Sequence, residues 1–363
     1  MNIDLLDYDL PQDLIATRPV EPRDSARMLV VRCECGSIDH ANVTDLPEFL
    51  RSGDLLVRND TSVIAARLVG RRVVRAGTRG GEVGGGRVDG LYLRSVGEDW
   101  LAMLTASGRL AVGERFELES PDGKVVGVEL REKLGHAWRI RPECADTAES
   151  VLASLGHTPL PPYILKARSR RGEAIDDSDD RRWYRTTFAN PNQFGSVAAP
   201  TAGLHFTELL RQKLRDGGVA ETAVTLHVGE GTFRPVTTSR LEDHDMHSET
   251  WSIDADAAKM LREGPSTGGR VVAVGTTTTR LLESLPDTLA DGPLAGSTKL
   301  LISPGWSFRR VEGMLTNFHL PRSTLLALVG AKMGLEFMHE AYRVAVEERY
   351  RFYSYGDAML ILP

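Results

Sequence analysis

A chain of 363 residues is long enough for two domains with sizeable cores. Its 41% hydrophobic and 26% charged residues are those of a globular protein and exclude wholesale disorder. The formal net charge of −6 gives no general attraction to nucleic acid, although a local basic patch can hold RNA on an acidic protein.

The three cysteines, Cys33, Cys35 and Cys144, are odd in number and lack paired spacing, which argues against a disulfide framework and a four-cysteine zinc site. The acidic start, Met1–Asp9, lacks the basic and apolar regions of a secretory signal. The longest apolar candidate, Leu325–Val329, is far short of a bilayer span. A cytoplasmic protein with no membrane partner is expected.

The first 65 residues have α/β character. Strands are expected at Ala26–Arg32 and Asp54–Val57, with a short helix at Thr44–Leu50 opened by capping residues. Asn59–Arg67 suits a turn or a nest of N–H groups. Texture then changes. Short alternating runs recur at Arg67–Val74, Arg87–Ser95, Trp100–Ala106, Glu114–Glu119, Val125–Glu132 and His136–Arg141, separated by Gly, Asp or Ser. That pattern predicts a small antiparallel β-barrel. Because α/β pattern flanks it, the fold class expected is a discontinuous α/β main domain, 1–65 and 146–363, with the barrel inserted at 66–145.

Asp146–Leu155 reads as a helix. The prolines of His157–Ile164 argue against one there, and Lys166–Arg182 reads as an exposed loop. Helices follow at Leu204–Leu214, Asp254–Arg262, Thr276–Leu285, Ser323–Gly334 and Glu336–Glu348. Strands are expected at Thr222–Val228, Arg270–Gly275, Lys299–Ser303, Met314–Asn317 and Ala358–Leu362.

Several corners of this second half put a polar residue at a strand end, where open α/β sheets bind ligands. Thr201-Ala-Gly-Leu-His205 precedes a helix whose first N–H groups are orphan donors. His227-Val-Gly-Glu-Gly231 is half of a nucleotide-binding glycine loop, and a bulge would explain it equally well. Gly275-Thr-Thr-Thr-Thr-Arg280 places hydroxyls at a helix start and an arginine in the next turn. Thr316-Asn-Phe-His-Leu-Pro321 sets Asn317 and His319 at a strand end. His244, His247 and Glu249 are spaced closely enough to consider zinc, but the strand expected beyond Ser248 gives no helical ligand face, so no metal is expected. Arginines crowd at Arg67, Arg71, Arg72, Arg75 and Arg79, at Arg168, Arg170 and Arg171 beside Lys166, and at Arg309 and Arg310. A solvated charged face explains any one cluster, whereas phosphate contacts would explain three. From residues alone, a non-catalytic nucleic-acid-binding module using these arginines and a metal-dependent hydrolase built on the histidines stay open.

Ordered blocks along nearly the whole chain resemble a known family. They are Glu21–Ser25, Asn59–Thr61 with Ala66-Arg67, Pro159–Ile164, Ala198–Thr207, Leu226–Pro235, Met246–Glu249, Thr316–Pro321 with Ser323–Leu326, and Tyr353–Leu360. The family is that of the S-adenosylmethionine:tRNA ribosyltransferase-isomerases (QueA) of queuosine biosynthesis. The resemblance implies an α/β domain with an inserted barrel. It implies transfer and isomerisation of the ribosyl part of S-adenosylmethionine onto 7-aminomethyl-7-deazaguanine at the wobble position of tRNA, giving epoxyqueuosine, adenine and methionine. A relative acting on another deazapurine would look much the same. On this footing His205 or His227 is expected as base and His319 as proton donor or ribose partner. Thr201, Gly203, Gly229, Gly231 and Thr276 would form the binding rim, Asn317 would orient it, and Arg280 would hold the methionine carboxylate. Arg67, Arg71, Arg72, Arg168, Arg170 and Arg171 would meet tRNA. S-adenosylmethionine is then a substrate, no metal is needed, and a monomer is expected.

Overall fold

A computed structural model describes residues 1–73, 75–76, 82–83, 85–144, 146–174, 176–229, 236–266 and 268–363, with the backbone alone at 75, 76, 82 and 83. The chain divides into two compact units. The first comprises Met1–Ser62, Pro161–Ala174 and Trp183–Pro363; the second comprises Val63–Leu160 and Ile175–Arg182.

A nine-stranded mixed sheet organises the first unit. Its order is Leu294–Thr298, Glu249–Ile253, Ala220–Leu226, Leu55–Asn59, Val271–Val274, Gly313–Asn317, Ala358–Leu362, Arg27–Arg32 and Ser37–Asn42. The four strands from Ala220–Leu226 to Gly313–Asn317 run parallel. The central run Val271-Val-Ala-Val274 is buried throughout, as expected of a strand covered on both faces. Its residues alternate between two cores: Val272 and Val274 pack with Leu315 and Phe206, while Val271 and Ala273 pack with Val57 and Leu281.

The second unit contains a closed six-stranded antiparallel barrel built from Arg67–Arg72, Arg87–Val96, Asp99–Ala106, Arg115–Glu119, Val125–Leu134 and Ala137–Pro142. Closure comes from pairing of the first of these with Arg115–Glu119. In Arg115–Glu119 only Phe116 and Leu118 point inward, the period-2 pattern of a strand with one wet face. The unit also takes in the helix Ala148–Leu155.

Three sequence expectations are corrected, and one strand, Ser37–Asn42, is unexpected. Lys166–Arg182 is not a loop: helices span Pro162–Arg171 and Asp177–Trp183. Pro162 is tolerated because it lies in the first turn, where its missing N–H costs nothing. The helix expected at Leu204–Leu214 is broken into a 3-10 turn, Thr201–His205, and a helix, Glu208–Asp216. Thr207 makes the break by accepting the Leu210 N–H at 3.1 Å. Lys299–Ser303 forms no strand; the strand is Leu294–Thr298, after which the Leu300 N–H turns back onto the Thr298 hydroxyl. Ser37–Asn42 is an edge strand that shows no buried alternation. Among the described residues, no helix is long and apolar enough to cross a membrane.

Candidate active site

A cavity of about 400 Å³ lies within the first unit, at the carboxyl ends of its parallel strands. Its size is that of a small-molecule site. Thr316 and Asn317 reach it from Gly313–Asn317, Gly275 and Thr276 follow Val271–Val274, and Val228 follows Ala220–Leu226.

Gly275 makes one wall possible. It has φ +91°, and the helix Thr276–Ser284 starts directly after it. The first-turn N–H groups of that helix therefore sit beside the cavity, with the positive end of the helix dipole. The Thr278 and Thr279 hydroxyls are spent on the carbonyls of Val274 and Gly275, at 2.8 and 3.1 Å. Thr276 and Thr277 line the cavity.

Asn317 is held on three sides. Its amide NH₂ donates to the Tyr353 carbonyl and to His205 Nε2, both at 3.1 Å, and its oxygen accepts the Thr201 hydroxyl at 3.0 Å. A carbonyl can only accept, so the Tyr353 bond fixes the amide orientation and makes His205 Nε2 an acceptor. The His205 proton therefore resides on Nδ1 and the ring is neutral. Burial, with the guanidinium charges of Arg351 and Arg23 adding to it, pushes His205 down to about 4. Burial alone pushes His319 down to about 3. His319 Nε2 lies 2.8 Å from the Thr316 hydroxyl.

The residues expected at the site separate into layers. Thr201, Thr276, Arg280, Asn317 and His319 line the cavity. His205 stands one hydrogen bond behind Asn317. His227 does not line it: Val228 takes the inward place, and His227, one residue earlier, turns to Thr61 with Nδ1 3.0 Å from that hydroxyl. Burial lowers the His227 pKa, opposed by the Asp60 carboxylate. The Asn59 side chain joins this corner by pairing with both main-chain groups of Leu226, at 2.9 and 3.1 Å. Gly203 is a packing position, since an added Cβ would lie 3.1 Å from Phe188 and Thr186 side-chain atoms. Among the described residues nothing lies within 4 Å of a Cβ added at Gly229, and Gly229 is not among those lining the cavity. Gly231 lies outside the described residues, as do Glu230 and Arg79.

Arg280 is committed within the protein. Nη1 pairs with buried Glu249 at 2.6 Å, Nε donates to the Leu300 carbonyl at 3.0 Å, and Nη2 is buried with no hydrogen-bond partner among the described residues. Its fork thus faces Glu249 first. Among the described residues, no three His, Cys, Asp or Glu side chains converge as a metal ion requires.

The arginines also divide. Arg67 forks onto Asp89 at 3.1 and 2.7 Å, and Arg72 pairs with Glu114. Arg71 is exposed, with no ion pair among the described residues. Arg168 is buried and gives Nε and Nη2 to the Thr17 carbonyl at 3.0 and 2.8 Å, which removes it from any surface contact with tRNA. Arg171 donates to the carbonyls of Asp13 and Ile15, and Arg170 to Gln12.

Sequence reasoning gave no role to the tyrosines of the wall, Tyr163, Tyr184 and Tyr353. Tyr163 and Tyr353 meet with ring centroids 4.5 Å apart, and the Tyr163 hydroxyl bonds Ser354 at 2.5 Å. Both lie inside motif blocks, so the signal was present without its meaning. His244 and His247 also line the cavity, although their spacing suggested only a metal.

Comparison with known proteins is consistent along the chain. Residues 3–361 match the family described as queuosine biosynthesis protein. An S-adenosylmethionine:tRNA ribosyltransferase-isomerase of Sphingopyxis alaskensis is 46% identical over 365 residues, spanning 100% of this chain and 97% of that protein. One from Erythrobacter litoralis is 44% identical over 369 residues, spanning 100% and 99%. The crystal structure of an S-adenosylmethionine tRNA ribosyltransferase from Thermotoga maritima is 31% identical, with a TM-score of 0.53, covering 99% of this chain and 100% of that one.

Proposed function

The chain belongs to the queuosine biosynthesis protein family, and from that premise we propose how its cavity works. It is an S-adenosylmethionine:tRNA ribosyltransferase-isomerase, with S-adenosylmethionine as ribosyl donor and tRNA as acceptor. The acceptor atom is the aminomethyl nitrogen of 7-aminomethyl-7-deazaguanine at the wobble position, and the product is epoxyqueuosine. The observation that carries this reading is a single cavity combining a helix N-terminus, an aromatic wall and the buried neutral imidazole of His319.

Each feature suits one part of the donor. Aromatic faces attract a cation, so Tyr163, Tyr184 and Tyr353 suit the sulfonium. The open first turn of Thr276–Ser284 suits a carboxylate or an electron-rich ribose oxygen. Arg280 acts on that wall through its pair with Glu249. His319 stays neutral at pH 7 because burial disfavours its charged form, leaving one ring nitrogen unprotonated. Such an imidazole is a weak base, and the sulfonium supplies the missing drive by acidifying C5′. The C5′–H bond breaks and its proton passes to the imidazole. The acceptor amine attacks C1′ and the bond from C1′ to adenine breaks, adenine leaving with the proton returned by the same ring and the amine proton passing to solvent. The nitrogen lone pair then opens the C1′–O4′ bond, the electron pair left at C5′ closes onto C1′, and the freed O4′ attacks C5′, expelling methionine as a neutral thioether and closing the epoxide. His205 orients Asn317 and does not meet the donor.

A monomer working in the cytoplasm, where tRNA is modified, completes the reading. The test is mass spectrometry of tRNA nucleosides after incubation of the protein with S-adenosylmethionine and tRNA bearing the aminomethyl-deazaguanine. The expected result is an epoxycyclopentyl adduct with one adenine released for each adduct. Release of no adenine, with the tRNA unchanged, would overturn the reading.

A further inference from the structure

His319 follows the last regular residue of Gly313–Asn317, where the sheet no longer supplies partners for its main chain. A buried N–H and C=O still need them. Two phenols provide them. The Tyr8 hydroxyl donates to the His319 carbonyl at 2.5 Å, and the Tyr342 oxygen accepts the His319 N–H at 3.0 Å. The two rings pack edge to face, with centroids 4.9 Å apart.

Tyr8 belongs to an N-terminal segment bound to both loops beside the cavity. The Leu6 carbonyl accepts the Arg322 N–H at 2.8 Å, and Asp4 pairs with the Arg322 guanidinium at 2.8 Å. On the other side, the Ile3 N–H donates to the Ser239 carbonyl and the Leu241 N–H to the Met1 carbonyl, both at 3.0 Å. Arg322 lines the cavity directly, and the Ser239–Leu241 stretch leads into His244, Met246 and His247, which also line it. Ile3 and Leu6 are buried in the same core as Phe318 and Leu241, so the segment is anchored by apolar packing as well as by hydrogen bonds.

We infer that residues 1–8 are a clamp that holds the two cavity loops in register, and that Tyr8 is a positioning residue acting through His319. The inference rests on the proposed role of His319. No atom of Tyr8 needs to meet substrate: its hydroxyl fixes the backbone from which the imidazole projects, and a displacement on the order of 1 Å there is enough to lower turnover strongly.

The test is Tyr8→Phe in the full chain, which removes one oxygen. Adenine release is measured at saturating substrates, with KM for each, and compared with the same substitution in a His319→Gln background. The expected result is a fall in kcat of about tenfold or more, KM within about twofold, and a change of less than about twofold when His319 is already replaced. The His319 ring signal in ¹⁵N-histidine spectra, assigned through His319→Gln, should shift in Tyr8→Phe. An unchanged kcat, or an equal fall in both backgrounds, would overturn the inference. Should Tyr8→Phe fold poorly, Tyr342→Phe removes the partner on the other side of His319 and must give the same pattern. No adenine release from the wild-type chain would instead overturn the activity itself.

Discussion

Asn317 gives one amide hydrogen to His205 Nε2, across 112 residues of sequence, and thereby fixes which ring nitrogen carries the proton. Asn317→Asp keeps the shape and reverses this logic. A carboxylate cannot donate to Nε2; it favours the imidazolium, so the His205 pKa rises from its buried value of about 4. Adenine release is expected to fall by roughly 10²-fold at pH 7, and the acid limb of the pH–rate profile should move to higher pH. An unmoved profile would mean that this pair has no part in turnover.

The same buried rings set a stability profile. His205 and His319 titrate at about 4 and about 3 in the fold, against 6.5 in an unperturbed histidine. Between those limits the unfolded chain binds protons that the folded chain does not, so stability rises with pH across the window. The contribution is therefore complete above pH 6.5 and is lost as pH falls towards 4 and 3. From pH 6.5 to pH 5 each ring should cost about 2 kcal/mol. Urea unfolding at pH 7 and pH 5 measures the slope, and His319→Gln should make it shallower.

How much of this could be read from the sequence depended on the range of the forces involved. The barrel was legible because each strand carries its own alternation, as Phe116 and Leu118 do between exposed neighbours. Val271–Val274 and Ala358–Leu362 were legible as short apolar runs. The helix Pro162–Arg171 was hidden because its charges outnumber its buried Ile164 and Ala167, and because Arg168 is itself buried. At the site, strand-end position drew attention to Asn317 and His319, and both line the cavity. It could not tell that His227 points to Thr61 rather than inward, because a shift of one residue reverses the face. The commitment of Arg280 to Glu249 was equally invisible, since those residues meet only when Glu249–Ile253 enters the sheet.

That buried pair gives a prediction of its own. Both side chains are under a tenth exposed. Glu249→Ala leaves a buried guanidinium without its counter-charge and should lower stability by about 3–5 kcal/mol. Replacing both, as Glu249→Leu with Arg280→Met, should recover much of that loss, because two apolar side chains carry no desolvation penalty. Thermal midpoints of the three variants measure this. If Arg280 also shapes the donor wall, the stable double variant should bind S-adenosylmethionine more weakly than the wild type in calorimetry.

Two arginines of one barrel strand differ in what holds them. Arg72 is held by Glu114 and by the carbonyls of Ser107 and Arg109, at 2.7 and 2.6 Å. Arg72→Ala takes a donor from each of these acceptors and should lower stability by about 1–3 kcal/mol, with any change in tRNA affinity following from that loss. Arg71 is exposed on the same strand, with no ion pair among the described residues. Arg71→Ala should leave the thermal midpoint within about 1 °C and weaken tRNA binding, reducing the slope of log K against log salt by about 1. Filter binding across a salt series reads both quantities. An unchanged slope would remove Arg71 from the RNA-binding surface while leaving the structural role of Arg72 intact.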